Sequence, residues 1–460
     1  MRYLSLGDTD DISASCHHLE IGGTGLVLDA GMDPNQDGYA AVPPFELLRD
    51  RPVDHIVVTH AHHDHLGSLP VLMQEVPHAR LHLSRPTAML AEILLPSSAR
   101  LQKRRIREGS TTAAPAFDVE AAEALGYVFE AHNLDTSFDL DGLHAEGEAR
   151  GTFYHASHVL GAVGLLVEAV EDGTTKRVFY TSDTSSSPQT ILPGADYPDR
   201  PVDVLLLEST LGADEDAETT TRKAQEVELG KAIARVIGRG GVVLLPVFAL
   251  GRSQDMLALI DRFKRRGIVP DETPIYTAGS MRAIANVYDA TRESSPRLDP
   301  EFEVYGVEQE RLPRGGARLA EALSRPGIFV VSSGMLFERT PSHALAQQII
   351  EDEKNGVFFV GYSKEDSPGA KLQEAAEAGT PMTFDDARGP QPVRAEIARF
   401  RFSGHSHRRE LVEIVGRLDP ETVVLVHGET AAKAWMKATI EDEFPDVRVL
   451  IPEQGQEIEL

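Results

Sequence analysis

Cysteine is almost absent from this sequence. Its 460 residues contain a single cysteine, Cys16, which excludes an internal disulfide framework and any zinc cluster built on several thiolates. A lone cysteine beside an apolar early strand is typical of a small core residue, and we expect Cys16 to be buried. A metal site in this chain would therefore depend on histidine and carboxylate ligands.

Long hydrophobic runs are also missing. The longest apolar run, residues 242–250, is too short to span a bilayer and contains Pro246. Residues 1–12 are acidic and lack the basic and apolar regions of a signal peptide. With 41% hydrophobic and 25% charged residues, the composition predicts a globular protein of two or three domains, and we expect a cytoplasmic enzyme.

Lysine is scarce, and acidic residues dominate. Ten of the 45 basic residues are lysine, and the formal net charge is −27. We favour a surface adapted to a salt-rich cytoplasm, where a dense shell of carboxylates stays hydrated and its repulsion is screened. A surface that repels nucleic acid is the weaker alternative, because binding needs only a local basic groove.

One basic cluster interrupts this acidic chain. A predicted helix between residues 84 and 109 ends in Arg100, Lys103, Arg104, Arg105 and Arg107. The cluster is either a solvated helix face that neutralises acidic neighbours or a contact for a phosphate backbone.

The most informative stretch is rich in histidine. Residues 60–65 hold four histidines and one aspartate directly after the apolar run of residues 56–58. That run predicts a buried strand, and a helix is predicted to follow from Leu66 to about Gln74, so the polar side chains would lie on the loop between them. A surface loop that happens to contain histidine is the alternative, but the residue types and their spacing all favour a metal site.

The chemistry of these side chains favours zinc. Imidazole and carboxylate suit Zn²⁺, with Mn²⁺ or Fe as less favoured occupants. Residues two apart at a strand end face the same way, so His60 and His62 can share one metal. Asp64 and His65 then turn toward a second metal.

Other acids and histidines stand where predicted strands meet loops. Asp29 ends one buried strand, and it is expected to orient the histidine loop rather than only to cap a turn. His158 and Asp183 occupy similar strand-end positions and would complete the first set of ligands. His405 and His427 repeat this pattern near the end of the sequence.

The pattern of predicted elements divides the chain into three parts. Residues 1–208 form a first domain, and residues 386–460 return to it. Between them, residues 209–385 alternate strands and helices, which predicts a separate α/β domain with a parallel sheet and helices on both faces.

Together these motifs resemble the metallo-β-lactamase fold hydrolases of the β-CASP branch, which includes the cleavage-and-polyadenylation endonuclease and the RNase J enzymes. The resemblance covers nearly the whole chain. It is carried by residues 60–65, by residues 208–210, 246–252 and 332–335, and by the separate positions Asp29, His158, Asp183, His405 and His427. It implies an α/β fold, an αββα metallo-β-lactamase sandwich with an inserted α/β β-CASP cap domain, and no appended KH domain.

The resemblance also implies roles for individual residues. His60, His62 and His158 would hold one metal, Asp64, His65 and His427 the other, and Asp183 would bridge the two. His405, oriented by Glu208, would donate a proton to the departing oxygen, with a structural pair as the alternative. The groups expected to contact substrate are the side chains of Ser332, Ser333, Arg252 and Lys371 and the backbone at Gly334.

The sequence departs from the family pattern at two places. Acidic residues at 214–216 stand where family nucleases carry basic ones, and residues 361–371 replace a glycine-rich element with a sequence that includes Glu365 and Asp366. These changes leave the metal ligands in place but bear on the substrate.

The resemblance implies a zinc-dependent ribonuclease, an endonuclease, a 5′ exonuclease or both, that acts on single-stranded RNA. DNA as substrate stays open, and so does a small non-nucleic-acid substrate, although small-substrate members do without the inserted domain. The oligomeric state is also open, with a homodimer among the alternatives.

Overall fold

Strands supply most of the framework. The computed structural model describes residues 1–7, 13–145, 147–361, 364, 366–385 and 388–460. Within this part of the chain the strands are β1 (Arg2–Ser5), β2 (His17–Ile21), β3 (Thr24–Leu28), β4 (His55–Val58), β5 (Arg80–Ser84), β6 (Phe129–His132), β7 (Ser137–Asp139), β8 (Ala149–His155), β9 (Val163–Glu171), β10 (Thr174–Tyr180), β11 (Val204–Glu208), β12 (Val242–Pro246), β13 (Ile275–Thr277), β14 (Glu310–Arg311), β15 (Gly327–Val331), β16 (Gly356–Phe359), β17 (Glu396–Arg399), β18 (Thr422–Val426), β19 (Arg448–Leu450) and β20 (Glu457–Glu459).

Helices lie between many of these strands. In the same described residues they are α1 (His63–Leu66), α2 (Leu69–Glu75), α3 (Arg85–Arg107), α4 (Val119–Ala124), α5 (Asp216–Thr219), α6 (Arg222–Gly238), α7 (Arg252–Arg265), α8 (Met281–Ala290), α9 (Gly316–Leu323), α10 (Pro341–Ile349), α11 (Pro368–Ala378), α12 (Arg408–Leu418) and α13 (Thr430–Glu443). Among the described residues, none of these helices is long and apolar enough to cross a membrane.

Two sheets form the first compact unit, which comprises Met1–Pro188, Pro193–Glu218 and Gly404–Leu460. Their strand orders over the described residues are β20-β1-β2-β3-β4-β5-β6 and β19-β18-β11-β10-β9-β8-β7. The main core lies between the two sheets and includes Leu28, Val57, Phe153, Leu206 and Val424. Helices α12 and α13 pack on the outer face of the second sheet, and α3 packs on the first sheet. The predicted αββα sandwich is confirmed.

Local sequence explains much of this unit. The interior strand β11 is a continuous apolar run until Glu208 and is fully buried, as expected for a strand with parallel neighbours on both sides. Strands β2 and β3 form a hairpin, and its turn uses Gly22 and Gly23 at φ 54° and 77°, a conformation that residues other than glycine rarely adopt. Cys16 is buried directly before β2.

The second compact unit comprises Gln189–Leu192 and Thr219–Ser403. Its sheet has the order β14-β13-β15-β12-β16-β17 over the described residues, and every pairing in it is parallel. The predicted alternation of strands and helices is confirmed. The chain enters at β12, builds β13 to β15 on one side, and then crosses to β16 and β17 on the other, so β12 is the point where the strand order reverses.

The chain returns from the second unit to the first unit later than the sequence indicated. The return was placed at residue 386, whereas the strand Glu396–Arg399 pairs in parallel with β16 and belongs to the second unit. Its first three residues are half-buried and Arg399 is exposed, and its sequence lacks the continuous apolar run that marks β12 and β15.

Candidate metal centre

The histidine-rich segment begins where β4 ends. All four residues of β4 are buried, and the chain then passes through Thr59 and His60 into the single helical turn α1. The predicted loop is therefore shorter than expected, because residues 63–66 are helical. Backbone bonds fix this turn, since Ala30 donates to the His65 carbonyl at 2.8 Å and Met32 to the His63 carbonyl at 3.0 Å.

The first group of possible ligands consists of His60, His62, His158 and Asp183. His62 Nδ1 lies 3.3 Å from His60 Nε2 and 2.9 Å from His158 Nε2. Burial lowers the pKa of His60 and of His158 well below the ordinary value, and the neighbouring imidazoles lower it further. Both rings are therefore neutral, which is the form that binds metal.

The second group consists of Asp64, His65 and His427. Asp64 Oδ2 lies 3.5 Å from His427 Nε2. Asp183 approaches both groups, because its Oδ2 lies 3.7 Å from His60 Nε2, 3.5 Å from His158 Nε2 and 3.4 Å from His65 Nε2. The structure therefore brings together all seven side chains that were expected to bind metal, with Asp183 between the two groups.

Asp29 connects the histidine segment to both sheets. Its Oδ1 accepts hydrogen bonds from the Thr59 amide at 2.7 Å and the Thr59 hydroxyl at 2.9 Å. Its Oδ2 accepts from His65 Nδ1 at 2.8 Å and from the Tyr180 hydroxyl at 2.9 Å. The bond to Nδ1 leaves Nε2 as the atom of His65 that points to Asp183, so Asp29 fixes which nitrogen is presented.

Sequence reasoning missed several polar partners of the ligands. Thr59 and Tyr180 bind Asp29, while Thr210 Oγ1 lies 3.1 Å from His427 Nδ1. The carbonyl of Gly404 accepts from His158 Nδ1 at 2.9 Å. Their common signal is position, because each lies within three residues of a predicted ligand, of His405 or of Glu208.

Unsatisfied polar atoms test whether these residues fit a metal ion. Among the described residues, His65 Nε2 and Asp183 Oδ1 are buried without a hydrogen-bond partner, although His427 Nδ1 stands 3.1 Å from that carboxylate oxygen. Leaving such atoms unpaired costs free energy, whereas a cation would use them as ligands. Imidazoles and buried carboxylates are the donor set that zinc prefers, so the residues present fit a metal site.

His405 and Glu208 form a hydrogen-bonded ion pair beside these groups. His405 Nδ1 donates to the Glu208 carboxylate, with distances of 3.1 and 3.0 Å to its two oxygens. Burial alone would lower the pKa of His405, but the charge and the hydrogen bond of Glu208 outweigh it and raise the pKa to about 9. Glu208 is held in turn by the amides of Thr184 at 2.8 Å and Thr210 at 3.3 Å. A charged imidazole ring thus stands 4.5 Å, between ring centroids, from His158.

Another histidine cluster has a different explanation. His82, Glu130 and His132 could also approach one ion, but His82 already bonds His55 on one side and His132 on the other, both at 2.9 Å. Glu130 is occupied by Arg80, at 3.0 and 2.8 Å. We interpret this cluster as a hydrogen-bonded chain of neutral rings at the border of the core.

The side chains expected to contact substrate lie in the second unit. Ser332, Ser333 and Gly334 follow β15, and Lys371 is exposed on α11. Arg252 is less available than expected, since its guanidinium bonds Asp255 Oδ2 at 2.8 Å and only 10% of its side chain is exposed. Tyr362, Ser363 and Glu365, in the segment that departs from the family pattern, lie outside the described residues.

An αββα sandwich with histidines and aspartates gathered at its strand ends is the architecture of the metallo-β-lactamase class. Comparison with family profiles agrees: residues 9–216 match the metallo-beta-lactamase superfamily, residues 253–372 the Beta-Casp domain, and residues 390–452 the Zn-dependent metallo-hydrolase RNA specificity domain.

Relatives that match almost the whole chain identify its family. An RNase J-like protein of Methanocaldococcus jannaschii is 30% identical over 428 residues, which cover 92% of this chain and 91% of that protein. The endoribonuclease ysh-1 of Neurospora crassa is 29% identical over 466 residues, 93% of this chain but 52% of that protein, so the chain spans about half the length of this curated relative. The protein belongs to the β-CASP family of metallo-β-lactamase fold proteins.

A solved structure supports the fold alone. The crystal structure of a protein of unknown function from Enterococcus faecalis V583 aligns with a TM-score of 0.54 at 14% identity, over 100% of this chain and 99% of that one.

Proposed function

We propose that this protein is a zinc-dependent ribonuclease that hydrolyses phosphodiester bonds in single-stranded RNA, internally, from the 5′ end or in both ways. The observation that carries the proposal is the pair of ligand groups that share Asp183, with the His405–Glu208 pair beside them. The match of residues 390–452 to an RNA specificity domain supports RNA over DNA, and so do the relatives named for ribonuclease activity.

Two zinc ions would fit the residues present, with Mn²⁺ or Fe as alternatives. His60, His62 and His158 would hold one ion, Asp64, His65 and His427 the other, and Asp183 both. Bound zinc supplies Lewis acidity toward the phosphoryl oxygens and makes hydroxide available at neutral pH.

The chain's own residues complete the reaction. Asp29 holds His65 with Nε2 directed toward Asp183. During hydrolysis an oxygen from water bonds to phosphorus and the bond from phosphorus to the departing oxygen breaks. His405 provides the proton that this departing oxygen takes up, because Glu208 holds its Nδ1 and keeps the ring charged. The substrate contacts, Ser332, Ser333, Gly334, Arg252 and Lys371, remain proposals.

The test compares labelled single-stranded RNA with DNA of the same sequence, using wild type, His62→Ala and His63→Ala. His63 is the matched control, because it lies in the same segment, is exposed and belongs to neither ligand group. We expect wild type and His63→Ala to cut RNA and to bind two zinc ions, and we expect His62→Ala to lose cleavage together with one of the two bound zinc ions. Fragment lengths then separate internal from end-directed cleavage.

Each contrary result would overturn a different part of the proposal. Preferential cleavage of DNA would change the proposed substrate from RNA to DNA but would leave the proposed metal site unchanged. Hydrolysis of bis-p-nitrophenyl phosphate without cleavage of either nucleic acid would remove the nuclease assignment. Unchanged zinc content in His62→Ala would remove the proposed ligand set. Light scattering of the same samples decides between a monomer and the homodimer considered above.

A further inference from the structure

We propose that Phe248 stacks against a nucleobase of the RNA substrate, an inference that rests on the proposed function. Phe248 follows β12 and is 37% exposed. Isolated exposed apolar residues are common and need no explanation by themselves. The argument therefore depends on where this ring lies and what surrounds it.

The ring stands at the point where the strand order of the parallel sheet reverses. Strand β12 lies between β15 and β16, and the segments that leave the carboxyl ends of these three strands meet at Phe248. In open parallel sheets, ligands bind outside the carboxyl ends of the strands at this reversal point. Phe248 thus occupies the position of the second unit that general topology favours for a ligand.

Two glycines lie beside the Phe248 ring, so no neighbouring side chain covers it from their segments. A Cβ added to Gly334, in the segment after β15, would lie 3.4 Å from Phe248 Cδ2 and Cε2. A Cβ added to Gly361, after β16, would lie 3.9 Å from the same two atoms. Both segments therefore approach one edge of the ring without a side chain, which supports the ring from that edge and leaves the aromatic surface accessible to a planar group.

Charge explains why stacking would be useful here. The chain carries a formal net charge of −27, so its net charge repels phosphates at long range, and any local contact between a cation and a phosphate weakens as salt rises. Arg252, the cation closest in sequence to Phe248, is engaged by Asp255. Stacking of a base on an aromatic ring needs no charge and tolerates any base sequence. It would give this acidic protein an affinity for single-stranded RNA that survives at high salt.

The test uses Phe248→Ala, Phe248→Leu and Phe248→Tyr, with Tyr305→Ala as the control for loss of an exposed ring in the same unit; Tyr305 is 44% exposed. KM and kcat are measured on labelled single-stranded RNA at low and high salt. Dissociation constants are measured by fluorescence anisotropy in a His405→Ala background, which we expect to bind RNA without cutting it.

We expect Phe248→Ala and Phe248→Leu to raise KM and the dissociation constant by roughly 5- to 150-fold at both salt concentrations, the range reported for loss of one stacked base. Tyrosine should restore the wild-type values, and kcat should change by less than about twofold because the chemical step does not involve the ring. Leucine keeps the apolar contacts with the glycines, so a defect in Phe248→Leu reports the lost aromatic face and not misfolding.

RNAs with one abasic nucleotide at successive positions locate the contact. In wild type, one position should weaken binding, and in Phe248→Leu this additional loss should disappear. Equal losses at every position in both proteins, or wild-type binding by Phe248→Leu, would overturn the inference. If wild type cuts no RNA while Phe248→Leu still weakens RNA binding, the proposed function fails and the stacking contact stands. If wild type cuts RNA and Phe248→Leu cuts it with the same KM, the proposed function stands and the stacking contact fails.

Discussion

Replacing Asp29 by asparagine tests how the histidine segment is held. Asp29 is fully buried and its two oxygens accept hydrogen bonds from three residues: Thr59, His65 and Tyr180. Asparagine has nearly the same shape, but its amide presents two N–H donors where the carboxylate accepted. If the amide oxygen stays with Thr59, the nitrogen faces both His65 Nδ1 and the Tyr180 hydroxyl.

The expected magnitude follows from these contacts. A buried donor without its acceptor costs about 1–3 kcal/mol, so two mismatched donors predict a loss of roughly 2–6 kcal/mol in the free energy of unfolding. Loss of a residue that orients a ligand weakens metal binding by about 10- to 100-fold. Tyr180→Phe removes only one donor to Asp29 and should lie between wild type and Asp29→Asn on both scales.

Two measurements check this prediction. Competition with a chromophoric chelator gives the zinc affinity, and urea unfolding of the chelator-treated protein gives the stability without metal. Asp33→Asn is a suitable control, since Asp33 also accepts hydrogen bonds but holds only Asn35. Zinc affinity of Asp29→Asn within twofold of wild type would refute the view that Asp29 directs His65.

Three further predictions concern other parts of the first unit. Glu208→Gln should lower kcat on RNA by about 10²-fold or more while leaving zinc content unchanged, because His405 loses the charge that keeps it protonated; an unchanged kcat would make the pair structural. Burial, aided by the neighbouring histidines, lowers the pKa of His82 to about 3. Because the unfolded chain binds a proton at this histidine below its ordinary pKa of about 6.5 and the folded protein does not, the free energy of unfolding should fall as pH falls, by about 2 kcal/mol at pH 5. In urea unfolding His82→Phe should show a smaller decrease with falling pH than wild type, and an equally steep decrease would contradict this explanation. Lys103→Glu with Arg107→Glu should reduce the salt dependence of RNA binding by about two in log–log slope if the basic end of α3 contacts phosphates, whereas an unchanged slope would leave the cluster as a solvated helix face.

The sequence predicted the candidate metal ligands better than the side chains that hold those ligands in place. The histidine segment and the strand-end residues were recognisable because strand ends and metal ligands both leave local signals. Thr59 and Tyr180 depend on register, since Tyr180 reaches Asp29 only because β10 pairs with β9 and β11 as it does. No local pattern contains that information.

Two other differences have separate physical causes. The turn α1 was missed because histidine and aspartate have weak helix propensity and the turn has four residues. The ion pair of Arg252 with Asp255 had a local signal, opposite charges three residues apart at a helix start, but burial of the pair depends on packing within the second unit. The acidic surface and the cytoplasmic location remain predictions.

The ligands also have an order of synthesis. His60, His62, His158 and Asp183 all precede the inserted unit, whereas His427 follows it. A ribosome would reach His427 roughly 240 residues after Asp183, or about 12–50 s later at ordinary elongation rates. We therefore expect the nascent chain to present one nearly complete zinc-binding group well before the other, so that the two metals are acquired in a fixed sequence.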